Sequence, residues 1–269
     1  MKKIGFIGAG NMAGALLKGL LAAKLYRPQD MLVSDVMPAQ LGKIKRAYRV
    51  DGLNDNQTLV RTAQTIILAV KPQIIDQVLA DIQPAVTKDK LFVSIAAGVP
   101  LQRLENGLGS NARVVRVMPN TPALLGKGIA VVVRGHKAKP QDEKLTLTLF
   151  RGVGEALAVK DEALMDAVTG LSGSGPAYVY LFAEALIAGG IQEGLPPAVA
   201  TRLTLQTIAG AVAMLQETGK SPQELRNMVT SPGGTTLAGL SFLAEGKFVE
   251  TITGAVSAAT RRSKELGQG

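Results

Sequence analysis

The chain of 269 residues contains no cysteine, no tryptophan and a single histidine. Without thiols it cannot form a disulfide framework, a thiolate metal centre or a cysteine nucleophile. The histidine, His136, lies in a basic stretch that ends at Pro140, and we expect a solvated surface turn there. The sequence therefore predicts neither a histidine-centred triad nor a metal site. Any catalytic proton would come from a hydroxyl, a carboxylate, a lysine or water.

Long apolar runs and clusters of one charge are also missing. No stretch of 18 uncharged apolar residues occurs, so we expect no transmembrane helix. Glycines interrupt the apolar run that follows Lys2 and Lys3, which argues against a signal peptide. The formal net charge is +9 and aromatic residues make up 4%, but the basic residues are scattered, so we expect no nucleic-acid partner. The composition is that of a globular protein, and because neither a signal peptide nor a transmembrane helix is predicted, we expect it in the cytoplasm.

Strand and helix patterns alternate over about the first 160 residues. Strands are expected at residues 2–7, 31–35, 65–70, 91–97, 113–118 and 129–134, with helices at 12–24, 41–48 and 74–82. The strands are apolar throughout, which is typical of parallel strands buried on both faces. The prediction is an α/β fold whose N-terminal domain, residues 1–160, is a doubly wound Rossmann-type parallel sheet.

Strand signals stop at about residue 161. Five helices are expected after it, at 162–169, 175–193, 198–218, from Ser221-Pro222, and at 235–262 with a break near Gly246. An alanine- and glycine-rich helical domain of residues 161–269 is small for a core of its own. We therefore expect it to bury itself against a second copy as a homodimer. Packing on its own N-terminal domain is the alternative.

Gly8-Ala9-Gly10-Asn11-Met12-Ala13 follows the first strand and opens a helix. Two glycines in this G-x-G-x-x-A pattern allow a tight turn and let a pyrophosphate approach a helix N-terminus. Asp35 ends the second strand, where an adenosine ribose is usually bound. The pattern predicts dinucleotide binding, with glycines needed only for packing as the alternative.

The sequence leaves the choice between NADPH and NADH open. Asp35 would accept a hydrogen bond from a ribose 2′-hydroxyl and repel a 2′-phosphate. Ser34, Lys43, Lys45 and Arg46 could instead hold the phosphate, although the two last residues could equally form a solvated helix face.

Two further strand ends point to the same crevice, because ligands of open parallel sheets lie beyond the carboxyl ends of the strands. These are Ala69-Val70-Lys71-Pro72 and Ala96-Ala97. Lys71 is either a cofactor contact or a surface residue.

Three motifs are not explained by packing: Met118-Pro119-Asn120-Thr121-Pro122, the turn at residues 171–178 (LSGSGPAY), and Ser231-Pro232-Gly233-Gly234-Thr235-Thr236. The last combines free backbone N–H groups with hydroxyls before a helix and is typical of an anion receptor. With GFIGAGNMAGALLKGL, AVKP and SIAAGV, in this order, these motifs give the whole chain a resemblance to pyrroline-5-carboxylate reductases.

That resemblance implies NAD(P)H-dependent reduction of 1-pyrroline-5-carboxylate to L-proline by a dimer, with rings of dimers also seen. It places Asn56 near the adenosine, Glu162 on the substrate side, and Thr235 and Thr236 at the substrate carboxylate and ring nitrogen. There are two alternatives: another imine or 2-oxo acid reductase of the same architecture, and a non-catalytic dinucleotide sensor.

A mechanism follows as a hypothesis. Ser231, Gly233, Gly234 and Thr235 would anchor the carboxylate, and the Thr236 hydroxyl would donate or relay a proton to nitrogen. Asn120 and the turn from Ser172 would form the wall. The alternative for Thr236 is a helix N-cap.

Overall fold

Eight strands form one sheet in the computed structural model, which describes residues 2–268. The order across the sheet is β3-β2-β1-β4-β5-β6-β7-β8. The strands are β1 Lys2–Ile7, β2 Met31–Ser34, β3 Asp51–Leu53, β4 Ala63–Leu68, β5 Leu91–Ser94, β6 Arg113–Met118, β7 Gly128–Arg134 and β8 Gly154–Ala158.

Both faces of the sheet are buried, and neighbouring residues of a strand pack on opposite sides. Ile66 and Phe92 belong to one hydrophobic cluster, whereas Ile67 and Val93 belong to another. Strands that are covered on both faces need apolar residues at every position. This confirms the Rossmann-type sheet that was predicted from the continuous apolar runs.

Helices cover the sheet and make up most of the chain after it. They are α1 Asn11–Ala22, α2 Pro38–Tyr48, α3 Asn56–Thr62, α4 Ile75–Ile82, α5 Leu101–Leu108, α6 Pro140–Arg151, α7 Met165–Val168, α8 Gly175–Gln192, α9 Pro197–Glu217, α10 Pro222–Met228, α11 Thr235–Glu245 and α12 Phe248–Gln268. A π-helical turn, Thr169–Gly173, separates α7 from α8. The expected break near Gly246 and the capping box at Ser221 are confirmed.

The sheet differs from the prediction at β7, which runs antiparallel to β6. The reason is the short connection of residues 119–127, because a parallel crossover needs about a dozen residues or more. The chain then returns through α6, and β8 is parallel to β7. His136 lies exposed in the turn after β7, as predicted.

Five elements were not predicted: β3, β8, α3, α5 and α6. β3 contains Asp51 and Gly52, which have low strand propensity, and it forms an edge of the sheet. β8 forms the opposite edge. Tertiary pairing with a neighbouring strand overrides weak local propensity at these edges.

The chain divides into two compact units at positions that differ from the expected boundary at residue 160. One unit is Met1–Ser174 together with Ser257–Gly269, and the other is Gly175–Val256. The end of α12 is tied to the first unit, because the Ser263 hydroxyl donates to Asp166 at 2.7 Å. The assignment of dinucleotide binding to residues 1–160, and of substrate binding and dimerisation to residues 161–269, stays a prediction.

The helical unit buries few side chains. In α9 only Ala200 and Thr204 are buried, and α8, α10 and α11 have none. Within residues 2–268, α9 is also the one helix long and apolar enough to cross a membrane by length and composition, although Arg202 interrupts its apolar residues. The helical unit therefore presents a large apolar surface.

Candidate active site

The turn between β1 and α1 is shaped by two glycines with different roles. Gly8 has a φ of +102°, and a Cβ there would lie 2.5 Å from the Ala69 carbonyl oxygen. Gly10 has no neighbour within 4 Å of its Cβ position. The first glycine is therefore required by the fold, whereas the second leaves open space at the start of a helix, where N–H groups are free to bind an anion.

The packing of α1 on the sheet depends on the small residues that follow. Ala13 is buried in the same cluster as Phe6 and Val33. The N–H of Gly8 donates to the Ser34 carbonyl at 2.8 Å, which joins the turn to the end of β2. The residues present therefore fit the diphosphate of a dinucleotide, which needs close approach to the backbone.

Asp35 is fixed by two backbone amides at the end of β2. Its Oδ2 accepts from the Ala9 N–H and its Oδ1 accepts from the Met37 N–H, both at 2.8 Å. The carboxylate thus links the glycine turn to the start of α2 and lines the crevice between them.

Asn56 lines the same crevice as Asp35 and belongs to a short polar network. Its Oδ1 accepts from the Ser34 hydroxyl at 2.7 Å, and its Nδ2 donates to Asp81 at 2.9 Å. Asp55 caps α3 and so fixes the position of Asn56. Hydrogen bonds from the Thr58 hydroxyl, and from backbone N–H groups, hold the pKa of Asp55 below its usual range.

A cavity of about 270 Å³ lies at the carboxyl ends of β1, β2 and β4. It is lined by Ile7, Gly8, Gly10, Ser34, Asp35, Val36, Met37, Gln40, Asn56, Ala69, Val70, Lys71, Ile74 and Val78. Eight of the predicted cofactor residues are in this set.

Six of the predicted cofactor residues are not among those that line the cavity: Ala9, Asn11, Met12, Pro72, Ala96 and Ala97. Ala9 and Ala96 are buried. Val36, Met37 and Gln40 line the cavity and were not predicted. Pro38 at the first position of α2 was the missed signal, since proline favours that position and the helix was expected to begin only at residue 41.

Asn120 joins two of the motifs that packing did not explain. Its Oδ1 accepts from the Ile129 N–H at 2.9 Å, and its Nδ2 donates to the Ser172 carbonyl at 3.2 Å. A side chain at Gly173 would collide with the Met118 methyl group. The turn after β6 and the π-helical turn are therefore packed together in the first unit, and π-helical turns are frequent at functional sites.

Glu162 forms an ion pair with the buried Arg116, which the sequence did not reveal. Its Oε1 accepts from Arg116 Nη1 and from the Leu101 N–H, both at 2.7 Å. Arg116 is 5% exposed, and the Glu162 side chain is 31% exposed. The structure places Glu162 at the junction of β6, α5 and the segment before α7, and its predicted role toward substrate stays a prediction.

The loop at residues 231–236 lies in the helical unit, ahead of α11. Gly233 has a φ of +71°, and a Cβ at Gly234 would lie 2.5 Å from the Ser231 hydroxyl oxygen. Gly234 is the N-cap of α11 and no side chain caps the helix. Thr236 is therefore inside the first turn, not at the N-cap, and the backbone N–H groups there are available to an anion.

No group of three or more His, Cys, Asp or Glu side chains is arranged to hold a metal ion within residues 2–268.

Two family models match the chain. Residues 3–98 match the model described as NADP oxidoreductase coenzyme F420-dependent. Residues 162–266 match the model described as pyrroline-5-carboxylate reductase dimerisation. The two matches fall on the sheet with its glycine turn and on the helical part of the chain.

Known proteins resemble the chain over its full length. It is 44% identical over 267 residues to a pyrroline-5-carboxylate reductase of Methanosarcina acetivorans, covering 99% of this chain and 98% of the relative. Its structure is similar to a pyrroline-5-carboxylate reductase from Coxiella burnetii, with a TM-score of 0.91 and 37% identity over 98% of both chains. It is also similar to the Plasmodium falciparum pyrroline carboxylate reductase with NADP bound, with a TM-score of 0.90 and 35% identity over 99% of this chain and 98% of that one. Because this identity extends over nearly all of each chain, the chain belongs to the pyrroline-5-carboxylate reductase family.

Proposed function

We propose that this chain reduces 1-pyrroline-5-carboxylate to L-proline with NADH or NADPH, the last step of proline biosynthesis. The observation that carries the proposal is the glycine turn. Gly8 occupies a position where a side chain would collide with the backbone, and Gly10 leaves room for a diphosphate. It occurs in a chain that aligns end to end with relatives named for this activity.

The chemistry requires three things of the protein. When bound, the nicotinamide supplies a hydride, which forms the new C–H bond at the imine carbon while a proton goes to the ring nitrogen. The chain must hold the substrate carboxylate, present the imine carbon and keep a proton donor at nitrogen. Asn120 and Ser172, which are hydrogen-bonded to each other, support a rigid wall for the ring.

The loop at residues 231–236 is the proposed holder of the carboxylate. Ser231, Gly233, Gly234 and Thr235 would surround it, with backbone N–H groups donating at the start of α11. Because no side chain caps α11, the Thr236 hydroxyl is not needed for capping. It would donate or relay the proton to the ring nitrogen.

The test is oxidation of NADH and NADPH with pyrroline-5-carboxylate, compared with a panel of 2-oxo acids and other imines. Turnover confined to the pyrroline supports the proposal. A better 2-oxo acid substrate, or cofactor binding without any turnover, would show a different reductase or a dinucleotide sensor. Thr236→Ala should lower kcat on the order of 100-fold. Thr218→Ala, which removes an exposed hydroxyl bonded to the carbonyl of Met214 in its own helix, should leave it unchanged.

The same chain is proposed to act as a homodimer through its helical unit. Large apolar side chains such as Tyr180, Leu203 and Phe242 are more than half exposed in a single copy, and a monomeric protein rarely leaves such a surface uncovered. Packing of α9 on a partner would also account for its apolar composition without a membrane. Sedimentation velocity distinguishes a monomer, a dimer and a ring of dimers.

We further infer that the enzyme works in the cytoplasm, which the absence of cysteine fits. Fractionation of cells that express the chain would test this location.

A further inference from the structure

We propose that this chain selects NADH over NADPH, and that the Asp35 carboxylate is the selecting group. The inference rests on the proposed use of a nicotinamide dinucleotide and adds which of the two the crevice accepts. It is carried by the contacts of Asp35 and by the charges around the crevice.

Asp35 is held in place by the protein's own backbone. Each carboxylate oxygen accepts one backbone N–H, from Ala9 and from Met37 at 2.8 Å. A carboxylate oxygen has two lone pairs, so each still has one to offer to a ribose hydroxyl. A 2′-phosphate has only acceptors at neutral pH and nearly two negative charges, so it can make no hydrogen bond to this group.

The residues that follow Asp35 provide no counter-charge. Val36 is 83% exposed and Met37 is 55% exposed, and both line the crevice. Recognition of a 2′-phosphate typically uses an arginine at this place. Here the positions are occupied by apolar side chains.

The nearby basic residues of α2 do not replace that arginine. Neither Lys43, Lys45 nor Arg46 lines the crevice. The Arg46 guanidinium lies along its own helix, where a Cβ on Gly42 would be 3.7 Å from it. All three residues are exposed, and for Lys45 and Arg46 this is the solvated helix face that was the alternative from the sequence.

Lys71 is the one cation among the residues that line the crevice. It follows β4, whereas Asp35 follows β2, and β1 lies between these two strands. Strands two places apart are separated by about 10 Å. The backbone positions of Lys71 and Asp35 are therefore two strand spacings apart, and the hydrogen bonds to the Asp35 carboxylate come from the backbone N–H groups of Ala9 and Met37.

The size of the preference follows from charge repulsion. Two unit charges at about 4 Å in water change an equilibrium by about fivefold, and a phosphate carries close to two. The hydrogen bond from a 2′-hydroxyl adds to this difference. We expect NADH to bind on the order of tenfold more tightly than NADPH, or better.

The experiment measures the dissociation constants of NADH and NADPH separately, by the fluorescence of the nicotinamide, in the full-length protein. Asp35→Asn keeps the size of the side chain and removes the charge, and it should reduce the NADH preference at least about fivefold. Asp51→Asn is the matched control. It removes the same charge from an exposed carboxylate in β3 that pairs with Lys2, and it should leave the ratio unchanged.

Equal or tighter binding of NADPH by the wild-type protein would overturn the inference. So would an equal loss of both affinities in Asp35→Asn, because a carboxylate that only anchors the glycine turn would not change the ratio. If Asp35→Asn does not fold, Val36→Arg provides the test without altering the Asp35 contacts. It should strengthen NADPH binding about tenfold, and no gain would count against the inference.

Turnover separates this inference from the proposed function. Tight NADH binding without reduction of pyrroline-5-carboxylate would remove the function and leave the selectivity standing. Reduction of pyrroline-5-carboxylate at equal rates with NADH and NADPH would support the proposed function and remove the selectivity.

Discussion

The Glu162–Arg116 ion pair gives the most direct test of how the first unit is held together. Truncating one partner of a buried pair leaves an uncompensated charge and typically costs about 3–5 kcal/mol. Here Arg116 is 5% exposed, but Glu162 is 31% exposed, so water can partly solvate the guanidinium after truncation. The lower end of that range applies, and Glu162→Ala should destabilise the protein by about 3 kcal/mol.

Glu162→Gln should cost much less, about 1 kcal/mol. The glutamine oxygen can still accept from the Leu101 N–H and from Arg116, which are both 2.7 Å from the same oxygen in the wild type. The two variants therefore separate the loss of charge from the loss of all contacts at one position.

Urea unfolding followed by circular dichroism measures the effect, with all variants at one protein concentration because association shifts the midpoint. The double variant Glu162→Ala/Arg116→Met should recover part of the lost stability, since no buried charge remains. A cost below about 0.5 kcal/mol for Glu162→Ala would refute the reasoning. Unchanged stability with a raised KM would instead support the predicted contact of Glu162 with substrate.

Three further predictions concern other parts of the chain. Gly8→Ala should unfold the turn, whereas Gly10→Ala should keep the urea midpoint and weaken cofactor binding, because only the first Cβ meets backbone; equal midpoints for both variants would contradict this. The lowered pKa of Asp55 means that its stabilisation is present above about pH 4 and is lost as the pH falls through the lowered value. The midpoint of the wild type should therefore fall more steeply from pH 6 to pH 3 than that of Asp55→Asn, and parallel curves would be the contrary result. Phe242→Lys, at a side chain 76% exposed in one copy, should yield monomers in sedimentation, while Leu125→Lys, at a side chain 80% exposed in the first unit, should not.

The sequence predicted best what depends on local pattern. The glycine turn, Asp35 and the continuous apolar strands are specified by neighbouring residues, and the structure brings eight of the predicted cofactor residues to one cavity. The capping box at Ser221 is equally local: its hydroxyl accepts from the Glu224 N–H, and the Glu224 carboxylate accepts in return.

Features that depend on distant partners could not be predicted. Glu162 and Arg116 are 46 residues apart, and neither carries a local sign of the other. The direction of β7 depends on the length of a connection, and β3 and β8 are strands because a neighbour pairs with them. The two amides that fix Asp35 come from separate segments, so only the structure shows that this carboxylate also anchors the glycine turn.

The return of residues from Ser257 onward to the first unit bears on the order in which the chain matures. Ser263 contacts α7, and a Cβ at Gly98, just beyond β5, would lie 3.2 Å from the Leu266 Cβ. These residues leave the ribosome only after the whole helical unit has been synthesised. The first unit therefore reaches its complete packing only after the helical unit has been synthesised.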